Sequence, residues 1–168
     1  MVGIAPPNEK DFVKRVIATG GQTVECCDAQ GRVMVDGVAL DEPYIFEDFP
    51  FLPGTSDCQS AVKAQRCFGP VTVPADSLWV MGDHRSNSAD SAFNCRGSEV
   101  VGDCRGPIPV DNVIGHAVFI VAPISRWQVI SSPDIQGGAV IAGLGMLALP
   151  RLDGGAVVTA RRSRWRRR

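Results

Sequence analysis

Short apolar segments follow one another along the first 130 residues of this chain, and glycine or proline separates most of them. With 18 glycines and 12 prolines in 168 residues, the chain favours many short strands joined by turns over long helices. The strand-like segments are 13–18, 23–26, 32–35, 38–40, 71–73, 78–81 and 112–121. The dipeptide Asp36-Gly37 between two of them is a strong hairpin signal. The sequence therefore predicts a mainly β fold.

The character of the sequence changes near its end, so we predict a β domain over residues 1–132 and a separate segment over 133–168. Residues 137–149 are small and apolar, and they are followed by Arg151 and Asp153. As a helix, this run would span about 20 Å at 1.5 Å per residue, less than the roughly 30 Å of a bilayer core. A membrane-associated segment and a disordered or interfacial tail both remain open.

The charges of the chain point to no nucleic-acid partner. Lysine and arginine total 17 and aspartate and glutamate total 18, which gives a net charge of -1. Basic residues cluster only at the end, in the RRSRWRRR run of 161–168. Such a run can bind nucleic acid, but it also suits the cytoplasmic flank of a membrane segment. Because the body has no basic stripe, we expect no nucleic-acid binding.

Six cysteines suit an oxidising compartment. Cys58 and Cys67 have the same spacing as Cys95 and Cys104, and Cys26 is adjacent to Cys27. Ligand pairs in zinc sites are usually closer in sequence, so we expect no metal and favour two local disulfides, 58–67 and 95–104. Six cysteines nevertheless allow about 15 full pairings.

Two segments carry the candidate chemistry. In the first, strand alternation places Lys14 on one face with the apolar Phe12 and Val16,. Burial lowers the pKa of a lysine and makes it a general base at neutral pH. A surface lysine on an edge strand is the simpler interpretation of this pattern alone. In the second segment, 80–92, Asp83, Arg85, Ser88 and Asp90 share one short loop. Alone, that loop would be an ordinary solvated turn.

Taken together, the two segments resemble the type I signal peptidase family (peptidase family S26, in particular its actinobacterial members). The lysine motif of that family corresponds to Lys14-Arg15-Val16 and the turn that follows, and its last motif to GDHRSNSADSA at 82–92. Between them, VDGVALDEPYI at 35–45 and VPADSLWVMGD at 73–83 resemble further family stretches. The order and the intervals agree over roughly residues 10–127.

The resemblance implies an antiparallel β-sheet fold and a serine endopeptidase with a Ser/Lys dyad, which removes signal peptides from secretory preproteins without a cofactor. It assigns Lys14 as the general base and Ser88 as the residue that hydrogen-bonds and orients its amine. Asp83 is expected to pair with Arg15, and Asp90 to support the loop. Ala92 stands where the family has arginine, so we expect Arg85 to become the partner of Asp90.

The nucleophile of the family is missing from this sequence. It lies in a Ser-Met-x-Pro-Thr motif upstream of the lysine strand, and residues 1–12 contain nothing similar. We therefore expect a catalytic fold that is incomplete at the N-terminus and a chain that is inactive alone. The family further implies the cell membrane as location, with this domain at the membrane surface on the extracytoplasmic side. The alternative function is an inactive β module that binds extended peptides.

The surroundings of three further residues predict where their side chains lie. His116 lies in an apolar strand-like run, which predicts a partly buried structural side chain. Trp79 and Trp127 are expected either in the core or at a membrane surface.

Overall fold

The computed structural model describes residues 11–97, 104–130, 134–135 and 157–160. Its strands are β1 (Phe12–Thr19), β2 (Thr23–Cys26), β3 (Val33–Val35), β4 (Val38–Asp41), β5 (Phe68–Thr72), β6 (Ser77–Met81), β7 (Ile108–Pro109), β8 (Val113–Ala117), β9 (Phe119–Ile120), β10 (Gln128–Val129), β11 (Asp134–Ile135) and β12 (Val157–Ala160). Single 3-10 turns lie at Arg85–Asn87, Val110–Asn112 and Ile124–Arg126. The described part of the chain contains no α-helix, which confirms the predicted mainly β fold.

The strands form two five-stranded sheets and a hairpin. The first sheet has the order β7-β6-β1-β12-β8, the second has the order β11-β4-β3-β2-β5, and β9 pairs with β10. Neighbouring strands are antiparallel throughout both sheets, as expected. The lysine strand β1 is therefore an internal strand, hydrogen-bonded to β6 on one side and to β12 on the other.

The predicted hairpin at Asp36-Gly37 joins β3 to β4. Both residues have positive φ, 52° at Asp36 and 78° at Gly37, which is the conformation that a two-residue turn of this kind requires. The Asp36 carboxylate accepts a hydrogen bond of 2.8 Å from the Thr23 N–H group. This contact attaches the turn to the start of β2.

One hydrophobic core is shared by both sheets. It includes Ile17 of β1, Val24 of β2, Phe68 of β5 and Trp79 of β6. Trp79 is fully buried and its ring stacks on Phe68, with the centroids 5.6 Å apart. The structure thus places Trp79 in the core, whereas Trp127 is exposed.

Three disulfides are present. Cys58–Cys67 and Cys95–Cys104 are the two predicted local pairs, and Cys26 bonds to its neighbour Cys27. The Cys27 sulfur lies within 4.8 Å of the Cys58 and Cys67 sulfurs. Because all three are oxidised, none of them offers a thiolate to a metal here.

The C-terminal part of the described structure differs from the prediction. Segment 112–121 was expected to be one strand but forms two, β8 and β9. His116 was expected to be partly buried but is exposed, because β8 is the last strand of its sheet. The apolar run 137–149 and the arginine run 161–168 lie outside the described residues. None of the described residues forms a helix with the length and apolar character needed to cross a bilayer.

Candidate active site

Lys14 and Ser88 are 74 residues apart in sequence, and the pairing of β1 with β6 brings them together. Arg15 lies opposite Met81 in that pairing, so the loop that follows β6 turns back beside the lysine. The Lys14 Nζ atom donates a hydrogen bond of 2.7 Å to Ser88 Oγ. Ser88 itself is buried. The structure thus contains the contact that the resemblance implied for these two residues.

The surroundings of Lys14 lower the pKa of its amine. Burial lowers the pKa of Lys14, and the positive charges of Arg105 and Arg96 lower it further, while the Asp90 carboxylate opposes them. The Phe12 ring, on the same face of β1, lies 5.9 Å from Nζ and adds apolar cover. Burial is the largest of these effects, so the net result is a lysine that deprotonates more readily than one in water.

Arg15 ties the lysine strand to the loop. Its Nε and Nη2 atoms donate to the two Asp83 carboxylate oxygens at 2.9 and 2.7 Å. Its guanidinium also lies 3.6 Å from the centre of the Tyr44 ring. A bidentate arginine–carboxylate pair fixes the relative orientation of the two side chains as well as their distance. The expected Arg15–Asp83 pair therefore sets the position of the loop relative to β1.

Arg85 does not pair with Asp90, so that expectation was wrong. Its two Nη atoms donate to the Glu42 carboxylate, and its Nε donates to the Gly82 carbonyl oxygen at 3.1 Å. The Tyr44 hydroxyl donates to the same carboxylate at 2.7 Å. Both side chains of the Arg85–Glu42 pair are almost completely buried. Removing one partner of such a pair typically costs about 3–5 kcal/mol, so this contact holds the loop firmly on the segment after β4.

Arg96 is the partner of Asp90 instead. Its Nη2 atom lies 2.9 Å from both Asp90 oxygens, and the side chains are 8% and 0% exposed. The Asp90 oxygens also accept hydrogen bonds from the Gly82 and Ala92 N–H groups. The small Ala92 side chain is itself buried in the core. The arginine that the motif lacks at 92 is thus replaced by one four residues later.

Gly82 is in close contact with the Lys14–Ser88 pair. A Cβ atom at this position would lie 2.4 Å from Ser88 Oγ and 3.5 Å from Lys14 Nζ. Contacts of the first kind do not occur in real structures, so only glycine permits this packing.

Sequence reasoning missed four residues of this site: Glu42, Tyr44, Gly82 and Arg96. The first three stand in stretches quoted for the family resemblance, so that resemblance carried the signal although no role was given to them. Arg96 carried one weaker signal, its position next to Cys95. Nothing local in the sequence couples it to Asp90.

A model of the family described as signal peptidase, peptidase S26, matches residues 1–122. The chain belongs to this family, which confirms the resemblance drawn from the motifs. It is similar to the probable signal peptidase I of Mycobacterium leprae, with 46% identity over 149 residues that cover 82% of this chain and 48% of that protein. The signal peptidase I of Mycobacterium tuberculosis H37Rv is 44% identical over 137 residues, covering 82% and 45%. That of Leptolyngbya laminosa is 36% identical over 128 residues, covering 76% and 49%. The chain thus spans about half the length of these relatives.

Proposed function

We propose that this chain is the lysine-bearing part of a signal peptidase I, a serine endopeptidase that removes signal peptides from exported preproteins. One observation carries the proposal: a half-buried lysine with a lowered pKa donates a 2.7 Å hydrogen bond to Ser88. The family membership of the chain supports it.

The geometry suits a base with a fixed direction. A neutral amine has two N–H groups and one lone pair. When one N–H donates to Ser88, the rotation of the amine is restricted, and its lone pair is available for the proton of a nucleophilic hydroxyl. Lys14 is therefore the general base and Ser88 is the residue that orients it. Arg15, Asp83, Arg85 and Asp90 support the loop that carries Ser88.

The reaction then follows the chemistry of a Ser/Lys dyad. A serine hydroxyl gives its proton to Lys14 and attacks the scissile carbonyl, and protonated Lys14 returns the proton to the departing amine as the peptide bond breaks. Lys14 next takes a proton from water, whose oxygen attacks the acyl-enzyme ester, and Lys14 then returns this proton to the departing serine oxygen. The 168 residues contain no Ser-Met-x-Pro-Thr string. We assign the nucleophile to the half of the relatives that this chain does not span, and we expect no turnover from the 168 residues alone.

Two observations support a location at the outer surface of the cell membrane. Three disulfides fit an oxidising compartment,. In addition, the β9–β10 hairpin exposes Phe119, Trp127 and Val129, and aromatic side chains are enriched at membrane interfaces.

A chimera tests the proposal. The segment of the Mycobacterium leprae relative that lies before the matched region is fused to this chain, and cleavage of a preprotein is measured. We expect cleavage by the chimera, and loss of at least about 100-fold in kcat for the Lys14→Ala variant, because general-base catalysis contributes about 10²–10⁴-fold. The Lys63→Ala variant is the matched control and should retain activity, since Lys63 lies in another loop.

Two outcomes would contradict the proposal. Cleavage that survives Lys14→Ala would remove Lys14 from the dyad. A chimera that folds and binds the preprotein but never cleaves it would favour the alternative, a peptide-binding β module.

A further inference from the structure

We propose that Arg96 is a positioning residue for the general base: it holds and neutralises the Asp90 carboxylate beside Lys14, and the Cys95–Cys104 disulfide keeps it there. This inference rests on the proposed role of Lys14. It assigns a function to an arginine that stands outside the loop motif of 82–92.

The first step of the argument is burial. Asp90 is 0% exposed and Arg96 8% exposed in their side chains, so solvent screens neither charge effectively. A buried carboxylate needs a partner, because an unpaired buried charge costs several kcal/mol. Both Asp90 oxygens lie at hydrogen-bonding distance from Arg96 Nη2, so Arg96 is that partner.

The second step connects Asp90 to Lys14. Asp90 Oδ2 accepts a hydrogen bond of 3.1 Å from the Gly82 N–H group, and Gly82 lies against Ser88 Oγ and near Lys14 Nζ. The fixed carboxylate therefore holds the backbone on which the Lys14–Ser88 pair rests. Its charge also acts directly on the lysine. Asp90 raises the pKa of Lys14, whereas Arg96 and Arg105 lower it. Without Arg96, the Asp90 charge would favour the protonated amine, which cannot act as a base.

The third step concerns what holds Arg96. Cys95 is buried and bonded to Cys104, and the residues after these two cysteines are Arg96 and Arg105. The Gly97 N–H group donates to the Cys67 carbonyl oxygen at 2.7 Å, and the Arg105 N–H group donates to the Phe93 carbonyl oxygen at 2.8 Å. The disulfide thus anchors two guanidinium groups beside the Ser88–Asp90 loop.

The experiment measures the reactivity of Lys14 in the full chain, which needs no nucleophile. Folded protein is treated with a trace of an acylating anhydride across a pH series, and mass spectrometry compares Lys14 with Lys63 in the same molecule. Only the neutral amine reacts, so the pH profile reports the pKa of each lysine. For Arg96→Gln, we expect acylation of Lys14 at pH 7.5 to fall about tenfold, which corresponds to about 1.4 kcal/mol.

Three variants separate this role from a merely structural one. Arg96→Lys keeps the charge and should restore acylation to within about threefold of the parent. Arg96→Gln combined with Asp90→Asn removes both charges, so the pH profile should return towards that of the parent; general disruption of the fold would not be reversed in this way. Arg66→Gln is the matched control. Arg66 also lies inside a disulfide-bonded loop, Cys58–Cys67, and contacts Asp48, whereas the positive charges that lower the pKa of Lys14 are those of Arg105 and Arg96.

Two double-cysteine variants test the same inference in case Arg96→Gln does not fold. Replacing Cys95 and Cys104 by alanine should raise the pKa of Lys14 clearly more than replacing Cys58 and Cys67, because Cys67 holds the Arg96 segment through a backbone carbonyl oxygen that the substitution leaves in place. The inference is overturned if folded Arg96→Gln keeps the parent profile, or if both disulfide variants behave alike. If instead Lys14 of the parent itself titrates like a free lysine, the proposed role of Lys14 fails, whatever Arg96 does.

Discussion

At the scale of single residues, Gly82 is the position with the least tolerance near the candidate base. An added methyl group would meet Ser88 Oγ at 2.4 Å and Ser88 Cβ at 2.8 Å. Gly82→Ala should therefore displace Ser88 and lengthen its 2.7 Å hydrogen bond to Lys14. Overpacking of this kind costs about 1–3 kcal/mol, and a misplacement of about 1 Å at a catalytic group can cost about 100-fold in rate. Thermal unfolding and preprotein cleavage by the chimera measure the two effects.

Gly115→Ala is the matched control for this substitution. A Cβ atom at Gly115 of β8 would meet nothing within 4 Å, so its stability and its rate should stay close to those of the parent. Equal behaviour of the two alanine variants would show that the close contact at Gly82 does not matter.

At the scale of elements, one carboxylate organises residues 54–60 of the segment between β4 and β5. Asp57 accepts hydrogen bonds from the Gly54, Gln59 and Ser60 N–H groups, of which the contact from Gly54 contributes most to lowering the pKa of Asp57 to about 2. Because the folded pKa lies below the unfolded value of about 3.9, Asp57 stabilises the fold above pH 4 and loses that contribution as the pH falls from about 4 to 2.

The Asp57→Asn variant tests this element. It should unfold at a lower temperature than the parent at pH 7, and the difference should shrink between pH 4 and pH 2 as Asp57 itself becomes neutral. A difference in unfolding temperature that stays constant from pH 7 to pH 2 would contradict the assignment.

Strands and turns that local chemistry determines were predicted more accurately from the sequence than the contacts of the site. The 23–26 strand and the Asp36-Gly37 hairpin were predictable because alternation and turn propensity act over a few residues. The contacts of the site were less predictable. Asp90 was assigned to Arg85, the nearer arginine in sequence, yet Arg96 is its partner, and Arg85 pairs with Glu42, which is 43 residues away. The predicted burial of His116 was also wrong, because an apolar run of sequence does not show whether another layer of the fold will cover that strand.

At the scale of the whole molecule, the two sheets share one core, and Trp79 is its largest fully buried side chain. Truncating a buried tryptophan to alanine costs about 3–5 kcal/mol, a large share of the roughly 5–15 kcal/mol that stabilises a domain. Trp79→Phe should cost much less. It keeps an aromatic ring against Phe68, and it removes an indole N–H that has no hydrogen-bond partner among the described residues. Denaturant titration should therefore rank the parent and Trp79→Phe well above Trp79→Ala.

The Trp79→Ala variant also tests whether the two sheets unfold as one cooperative unit. Because residues of β1 and β6 and residues of β2, β3 and β5 pack into the same cluster, losing the Trp79 indole should weaken both sheets together. Hydrogen exchange of the backbone amides measures this directly: in Trp79→Ala, protection should fall by a similar factor in β1 and in β3. If β3 kept its protection while β1 lost it, the second sheet would be stable by itself. The position of Lys14 would then depend on the first sheet alone.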